Sequence, residues 1–314
     1  MLDLVSFKDE FISQCRNMLC ETGPEDLKIE ERIVRKAQRG ELNGVLFMKE
    51  GLLCAPTFYV EDFYKAYKDG ASIPDLSHNA IETAIRSMGM ANMLARDSFD
   101  MIGNPEKLRV RMLSRDRNKE YLKSIPFREL GCGFVYIAES GRGEYGAVIT
   151  NDLMEEFDMP GDELFDRAIR NTVEDFPAVL HDLGESVISD PESCVNLLNA
   201  SSGRAPAGSG PVFVLTNSSF FWGAGALFYP GIIDRIQELI GGDFYILPSS
   251  VHELILVSVE DQDPQQLADL VRSANRSVVK SSEILADDLY ICESGELHRV
   301  SFGGVIPACG DFVC

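Results

Sequence analysis

Residues 211–257 read PVFVLTNSSFFWGAGALFYPGIIDRIQELIGGDFYILPSSVHELILV, and this run decides the fold. Its opening, PVFVLT, is β-branched and aromatic behind a proline, the pattern of a strand. The small residues of GAGAL (223–227) let backbones approach closely and read as a tightly packed Ala/Gly strand. Pro230 and Gly231 break the chain just ahead of a helix. Ile232, Ile233, Ile236, Leu239 and Ile240 then recur at helical spacing, with Asp234, Arg235, Gln237 and Glu238 on the other face. Gly241 and Gly242 end that helix, as a left-handed cap requires. DFYILP and HELILV, joined through Pro248, Ser249 and Ser250, read as an antiparallel pair with one buried face.

Downstream, Asp263 and Pro264 open a helix whose inner side carries Leu267, Leu270, Val271 and Ala274. LYICE and LHRVSF, joined through Ser294 and Gly295, make a terminal hairpin. Upstream, a first helix is expected over about 6–20, with Ser6 as its N-cap and Phe7, Phe11, Cys15, Met18 and Leu19 on one side. A charged strand at about 27–37 and GVLFMKE form a hairpin. TFYVEDFYKAYKDG starts extended and becomes a helix that Gly70 ends. Two helices follow at about 74–88 and 90–101. LRVRMLS (108–114) alternates apolar and basic residues, as a strand with one exposed face does. A short charged helix near 116–123, a hairpin of GFVYIAE and YGAVITN, and helices at about 152–157 and 161–175 complete this half. In the last, Leu164, Ala168, Ile169 and Val173 mark the buried side.

The fold class is therefore α+β, with antiparallel strand pairs flanked by helices in two linked units. Residues 1–195 form the first unit, 196–210 the linker, 211–302 the second unit, and 303–314 a tail. The linker rests on NASSGRAPAGSG, the one stretch of linker composition in the chain, with a flexible surface loop inside a single domain as the alternative.

Three blocks carry a family resemblance. GAGALFYPGIIDRIQELIGGDFYILPSSVHELILV (223–257) resembles the signature of domain of unknown function 5688. APTFYVEDFYKAYKDG (55–70) is similar to that family's extended segment followed by an aromatic helix, and SIPFRELGCGFVYIAE (124–139) matches its third common block. The resemblance implies a fold and a setting: gut clostridia and relatives, often among accessory genes of conjugative elements. It carries no activity over.

Fifty acidic against 29 basic side chains give a net charge of −21. Binding nucleic acid without regard to sequence needs a basic face to displace counterions, and none is visible. An anionic membrane would repel such a surface too. MLDLVSFKDEF lacks the basic start and long apolar core of a signal peptide. No run approaches the roughly 18 apolar residues that span a bilayer. The eight cysteines are scattered, with no Cys-x-x-Cys pair, which suits reduced thiols in a cytoplasm. Cys309 and Cys314 flank a terminal ACGDFVC, which reads as an ordinary chain end.

Candidate chemistry is sparse. His78, His181, His252 and His298 have no ligand-spaced partners, so no metal site is expected. Gly223, Gly225 and Gly231 lack the lysine of a phosphate loop and do not open a helix directly, so no nucleotide cofactor is expected. Ser249, Ser250, His252 and Glu253 are the most suggestive polar cluster, since histidine can deprotonate a neighbouring hydroxyl. On a strand, however, Ser250 and His252 share one face and Glu253 takes the other, which separates the carboxylate from the imidazole. Ser250 and His252 are thus the only catalytic candidates.

Two aromatic groups are candidates for binding another protein. Phe58, Tyr59, Phe63, Tyr64 and Tyr67 form one; core packing accounts for most of these rings, and Tyr64 and Tyr67 are its candidate contact residues. Phe220, Phe221 and Trp222 form the other; three consecutive aromatics cannot all face one core. The reading is a non-catalytic, protein-binding accessory protein of mobile elements. The alternatives are an acidic decoy that imitates nucleic acid, and an unrecognised hydrolase built on Ser250 and His252.

Overall fold

In the computed structural model the first helix, α1 (Leu4–Thr22), begins earlier than Ser6. Asp3 caps it: its Oδ1 accepts the Ser6 amide at 2.8 Å. The structure describes residues 1–22, 24, 26–52, 55–101, 103–118, 125–127, 132–139, 146–149, 157–184, 194–199 and 212–302. The expected helix at 152–157, except Phe157, and the cysteine-containing tail lie outside the described residues, as does most of 196–210. The chain forms two compact units. One comprises Met1–Arg109, Arg117–Leu122 and Tyr136–Ala168; the other comprises Val110–Asp116, Lys123–Val135 and Ile169–Cys314.

In the first unit α1 buries Phe7, Phe11, Ile12, Cys15 and Leu19. β1 (Leu27–Lys36) and β2 (Gly40–Lys49) form the expected antiparallel hairpin, and β3 (Thr57–Tyr59) pairs with the far side of β2. α2 (Val60–Lys68) follows at once and ends at Asp69, with Gly70 in the positive-φ conformation that glycine adopts without strain. α3 (Ile73–Met101) is one helix of 29 residues where two were expected. Gly89 supplied the expected break, but a lone interior glycine costs a helix only about 1 kcal/mol and ends it only with capping chemistry behind it. The core joins α1, α2 and α3 to Val45 and Phe47 of β2.

β4 (Leu108–Ser114) corrects another expectation. Every residue of it is buried, Arg109 and Arg111 included. Arg109 Nη1 donates to the carbonyls of Glu106 and Leu108 at 2.8 and 2.9 Å. The Arg111 guanidinium lies 4.7 Å over the ring of Phe176. An arginine can enter a core when carbonyls and a ring face replace water. α4 (Arg115–Asn118) follows. β5 (Ile125–Phe127), β6 (Cys132–Glu139) and β7 (Gly146–Val148) complete a four-stranded sheet of order β4-β6-β5, with β7 pairing β6 as the expected hairpin. α5 (Gly161–Asp175) matches its expected span and buries Leu164, Ala168 and Ile169.

The second unit is built on a six-stranded antiparallel sheet of order β13-β12-β10-β11-β9-β8. Its strands are β8 (Ala178–Asp182), β9 (Val212–Asn217), β10 (Phe244–Leu247), β11 (Leu254–Ser258), β12 (Tyr290–Glu293) and β13 (Glu296–Arg299). β8 precedes residues 196–210 and β9 follows them, so this sheet draws on both sides of that stretch. The GAGAL residues are not a strand: Gly223–Phe228 forms a 3₁₀ helix. Glycine and alanine have poor β propensity, and the backbone here is pressed against a neighbouring turn. α6 (Ile232–Ile240) ends at Gly241, φ 88°, as expected. α7 (Pro264–Ser277) is capped by Asp263, whose Oδ1 accepts the Gln265 amide at 2.9 Å. It buries Ala268, Val271 and Asn275, whereas Leu270, expected inside, is 57% exposed.

Candidate contact loop around Phe221, Trp222 and His252

The loop after β9 is organised by Asn217, a buried residue. Its Oδ1 accepts the Ser219 amide at 3.0 Å, its carbonyl accepts the Phe220 amide at 3.0 Å, and its Nδ2 donates to the Phe221 carbonyl at 3.1 Å. This is an asparagine-initiated turn, and it holds two bulky residues in the left-handed region: Phe220 at φ 54° and Trp222 at φ 58°. Such backbone costs on the order of 1–3 kcal/mol and persists only where its surroundings determine it.

The surroundings are supplied by residues 250–253. The backbone amide of Trp222 donates to Nδ1 of His252 at 3.1 Å. The His252 carbonyl accepts both the Gly223 amide at 3.0 Å and the Thr216 hydroxyl at 2.8 Å. A Cβ on Gly223 would run into Thr216 Oγ1 and lie 2.6 Å from the Asn217 nitrogen and 2.7 Å from the His252 carbonyl oxygen. Only glycine fits there. The aromatic rings close the same cluster. Phe221 lies 4.6 Å from the His252 ring and meets Trp222 edge-on at 5.5 Å, yet Phe221 remains 52% exposed.

On the other side of the imidazole, Nε2 lies 3.7 Å from Glu283 Oε1, which also pairs with Lys280 at 3.1 Å. Burial holds the His252 pKa below its ordinary value; Glu283 opposes that shift and Lys280 adds to it. The Trp222 hydrogen bond requires a lone pair on Nδ1, so the neutral ring carries its proton on Nε2, facing Glu283. Burial raises the Glu253 pKa above its ordinary value.

The structure thus joins two groups of candidates that the sequence left apart: His252, and the run Phe220, Phe221 and Trp222. It places Ser250 differently from expectation. Residues 250–253 are not strand, because the Ser250 amide bonds the Glu253 carbonyl at 3.2 Å and β11 starts only at Leu254. Ser250 Oγ accepts the backbone amide of His252 at 3.0 Å. With Nδ1 engaged by Trp222 and the Nε2 proton toward Glu283, the imidazole directs no lone pair at that hydroxyl. Asn217 went unrecognised in the sequence, although Asn-Ser-Ser before an aromatic run is turn chemistry. Glu283 had no local signal, since it lies 31 residues from His252.

Tyr64 and Tyr67 belong to the first unit and face its own amino terminus. The Leu2 amide donates to the Tyr67 hydroxyl, and the Tyr64 hydroxyl donates to the Leu2 carbonyl, each at 3.1 Å. Their rings pack on Phe7 at 5.4 and 5.0 Å. Among the described residues no group of three or more His, Cys, Asp or Glu side chains is placed to hold a metal ion, and no helix is long and apolar enough to cross a membrane.

No curated protein and no solved structure matches the chain. The model of the family of unknown function DUF5688 matches residues 8–294, and the chain belongs to that family.

Proposed function

We propose that this chain is a non-catalytic protein-binding module, and that the Phe221 loop is its contact surface. The observation that supports this reading is the exposed Phe221 ring on a backbone held in two left-handed residues by Asn217 and His252. A rigid, exposed aromatic binds with little ordering cost, which is what distinguishes interface anchors from incidental surface rings. The fitting partner is a protein with an apolar socket for Phe221 and a basic surface around it, because a net charge of −21 steers cationic surfaces toward the chain. An accessory role on mobile elements, which the family resemblance implies, belongs to the same reading.

The test is affinity capture from the native host with the wild-type chain and with Phe221→Ala, followed by direct titration of the captured protein. The expected result is at least about tenfold weaker binding by Phe221→Ala, and affinity that falls as salt rises. Equal binding by both forms would overturn the assignment of this loop.

A further inference from the structure

β1 is ten residues long and paired on one side only. Its register with β2 runs from Leu27 opposite Lys49 to Lys36 opposite Gly40, and it ends the order β1-β2-β3. Among the described residues no strand pairs with its outer edge. The second unit treats an edge differently. There the Asn196 side chain accepts the Leu180 amide and donates to the Ala178 carbonyl, sealing β8. Among the described residues no side chain seals β1 in this way between Leu27 and Val34, and open edges of this length are templates for another strand.

Charged residues line β1, which would suit simple protection of an edge. Ile33 does not fit that account. It sits on the open edge strand, 65% exposed, beside a crevice of about 140 Å³ that it lines with Ile12 and Val60 and with the polar Lys8, Glu31 and Asn43. The residues around it are self-complementary when run antiparallel. With Ile33 opposite itself, Arg32 faces Val34, Glu31 faces Arg35 and Glu30 faces Lys36, each twice across the axis. Every charge-to-charge pair in that register is attractive. Moving the axis to residue 32 sets Lys28 against Lys36, to residue 31 sets Glu31 against itself, and to residue 34 sets Arg32 against Lys36. Half-step registers mix the two faces of the sheet.

We propose that β1 pairs with β1 of a second copy of this chain, on a two-fold axis through Ile33, joining two three-stranded sheets into one of six strands. The ion pairs within one copy, Arg32 with Glu30, Glu31 with Lys8 and Arg16, and Arg35 with Glu41, lie alongside the new ones. Glu30 and Glu31 each gain a cation across the axis.

Light scattering during gel filtration of the full chain tests this. The expected species has twice the 34.8 kDa chain mass. Ile33→Lys is expected to be monomeric with an unchanged far-ultraviolet circular dichroism spectrum. Glu30→Lys alone and Lys36→Glu alone each set like charges across the axis twice, and each is expected to weaken the dimer at least about tenfold. Mixing these two variants restores dimerisation, because the heterodimer has opposite charges at both 30–36 contacts. A monomeric wild type, a dimer untouched by Ile33→Lys, or a mixture that stays monomeric would each overturn the proposal.

Discussion

The amide of Trp222 and the imidazole of His252 share a hydrogen bond that exists only while Nδ1 is unprotonated. A proton on His252 therefore breaks the contact that holds a left-handed tryptophan in place. Burial lowers the folded-state pKa of His252 below its ordinary value of 6.5. Between the two values the unfolded chain binds more protons than the folded one, so stability is fully present above about pH 6.5 and is lost as pH falls toward the folded pKa. Trp222 is the only tryptophan, so its fluorescence reports this loop directly. The emission is expected to shift on acidification below that range, while His252→Gln shows no such transition. A wild-type emission that stays unchanged as the pH falls below that range, while the fold persists, would refute the coupling.

Glu253 has the opposite sign. Burial raises its pKa, so the folded chain holds a proton more readily than the unfolded one, and ionisation at neutral pH costs stability. Glu253→Gln removes that cost. Its thermal midpoint is expected to exceed that of the wild type at neutral pH, with the difference vanishing at pH values where the carboxyl is protonated in both states. A midpoint lowered at neutral pH would show that Glu253 makes a compensating contact as an anion.

Asn217 and Gly223 are expected to carry the loop. Asn217→Ala deletes a donor to the Phe221 carbonyl and an acceptor for the Ser219 amide, which by analogy with other buried polar groups costs about 1–3 kcal/mol. Gly223→Ala forces a methyl against Thr216 Oγ1 and the His252 carbonyl, with a similar overpacking cost of about 1–3 kcal/mol. Urea denaturation measures both. Each variant should also raise the mobility of Trp222, read as a drop in fluorescence anisotropy, because the left-handed residues lose what determines them.

Elements with periodicity and punctuation in one short window were legible in the sequence. α6 has its apolar stripe and glycine stop, and the β10–β11, β12–β13 and β6–β7 pairs have their turns. What was not legible depended on distant partners. Arg111 of β4 read as solvent-facing because nothing local announces the Phe176 ring that receives it. The GAGAL residues read as a strand because the pressure on Gly223 comes from Thr216 and His252, which tertiary structure alone brings near. The composition of 196–210 marks a connection, yet β8 on one side of it pairs with β9 on the other. Composition reports solvation and carries no information on strand pairing. At the loop, the sequence offered His252 and the Phe220–Trp222 run separately; the hydrogen bond that unites them spans 30 residues.

α7 isolates the same lesson in adjacent positions. Leu267, Leu270, Val271 and Ala274 all satisfy a helical stripe, and a stripe wider than the contact cannot tell which of its margins faces the sheet. The structure turns the helix so that Val271 and Ala268 pack with Leu247, Val257 and Leu289, and Leu270 faces outward. Burial then sets the cost of truncation. Val271→Ala removes two buried carbons and leaves a gap, an expected loss of about 2 kcal/mol. Leu270→Ala removes more atoms but from a side chain that is mostly in solvent, and is expected to stay within about 0.5 kcal/mol of wild type. Paired urea titrations decide it. If Leu270→Ala proves the costlier of the two, α7 is rotated from the orientation described, and its apolar margin meets the sheet after all.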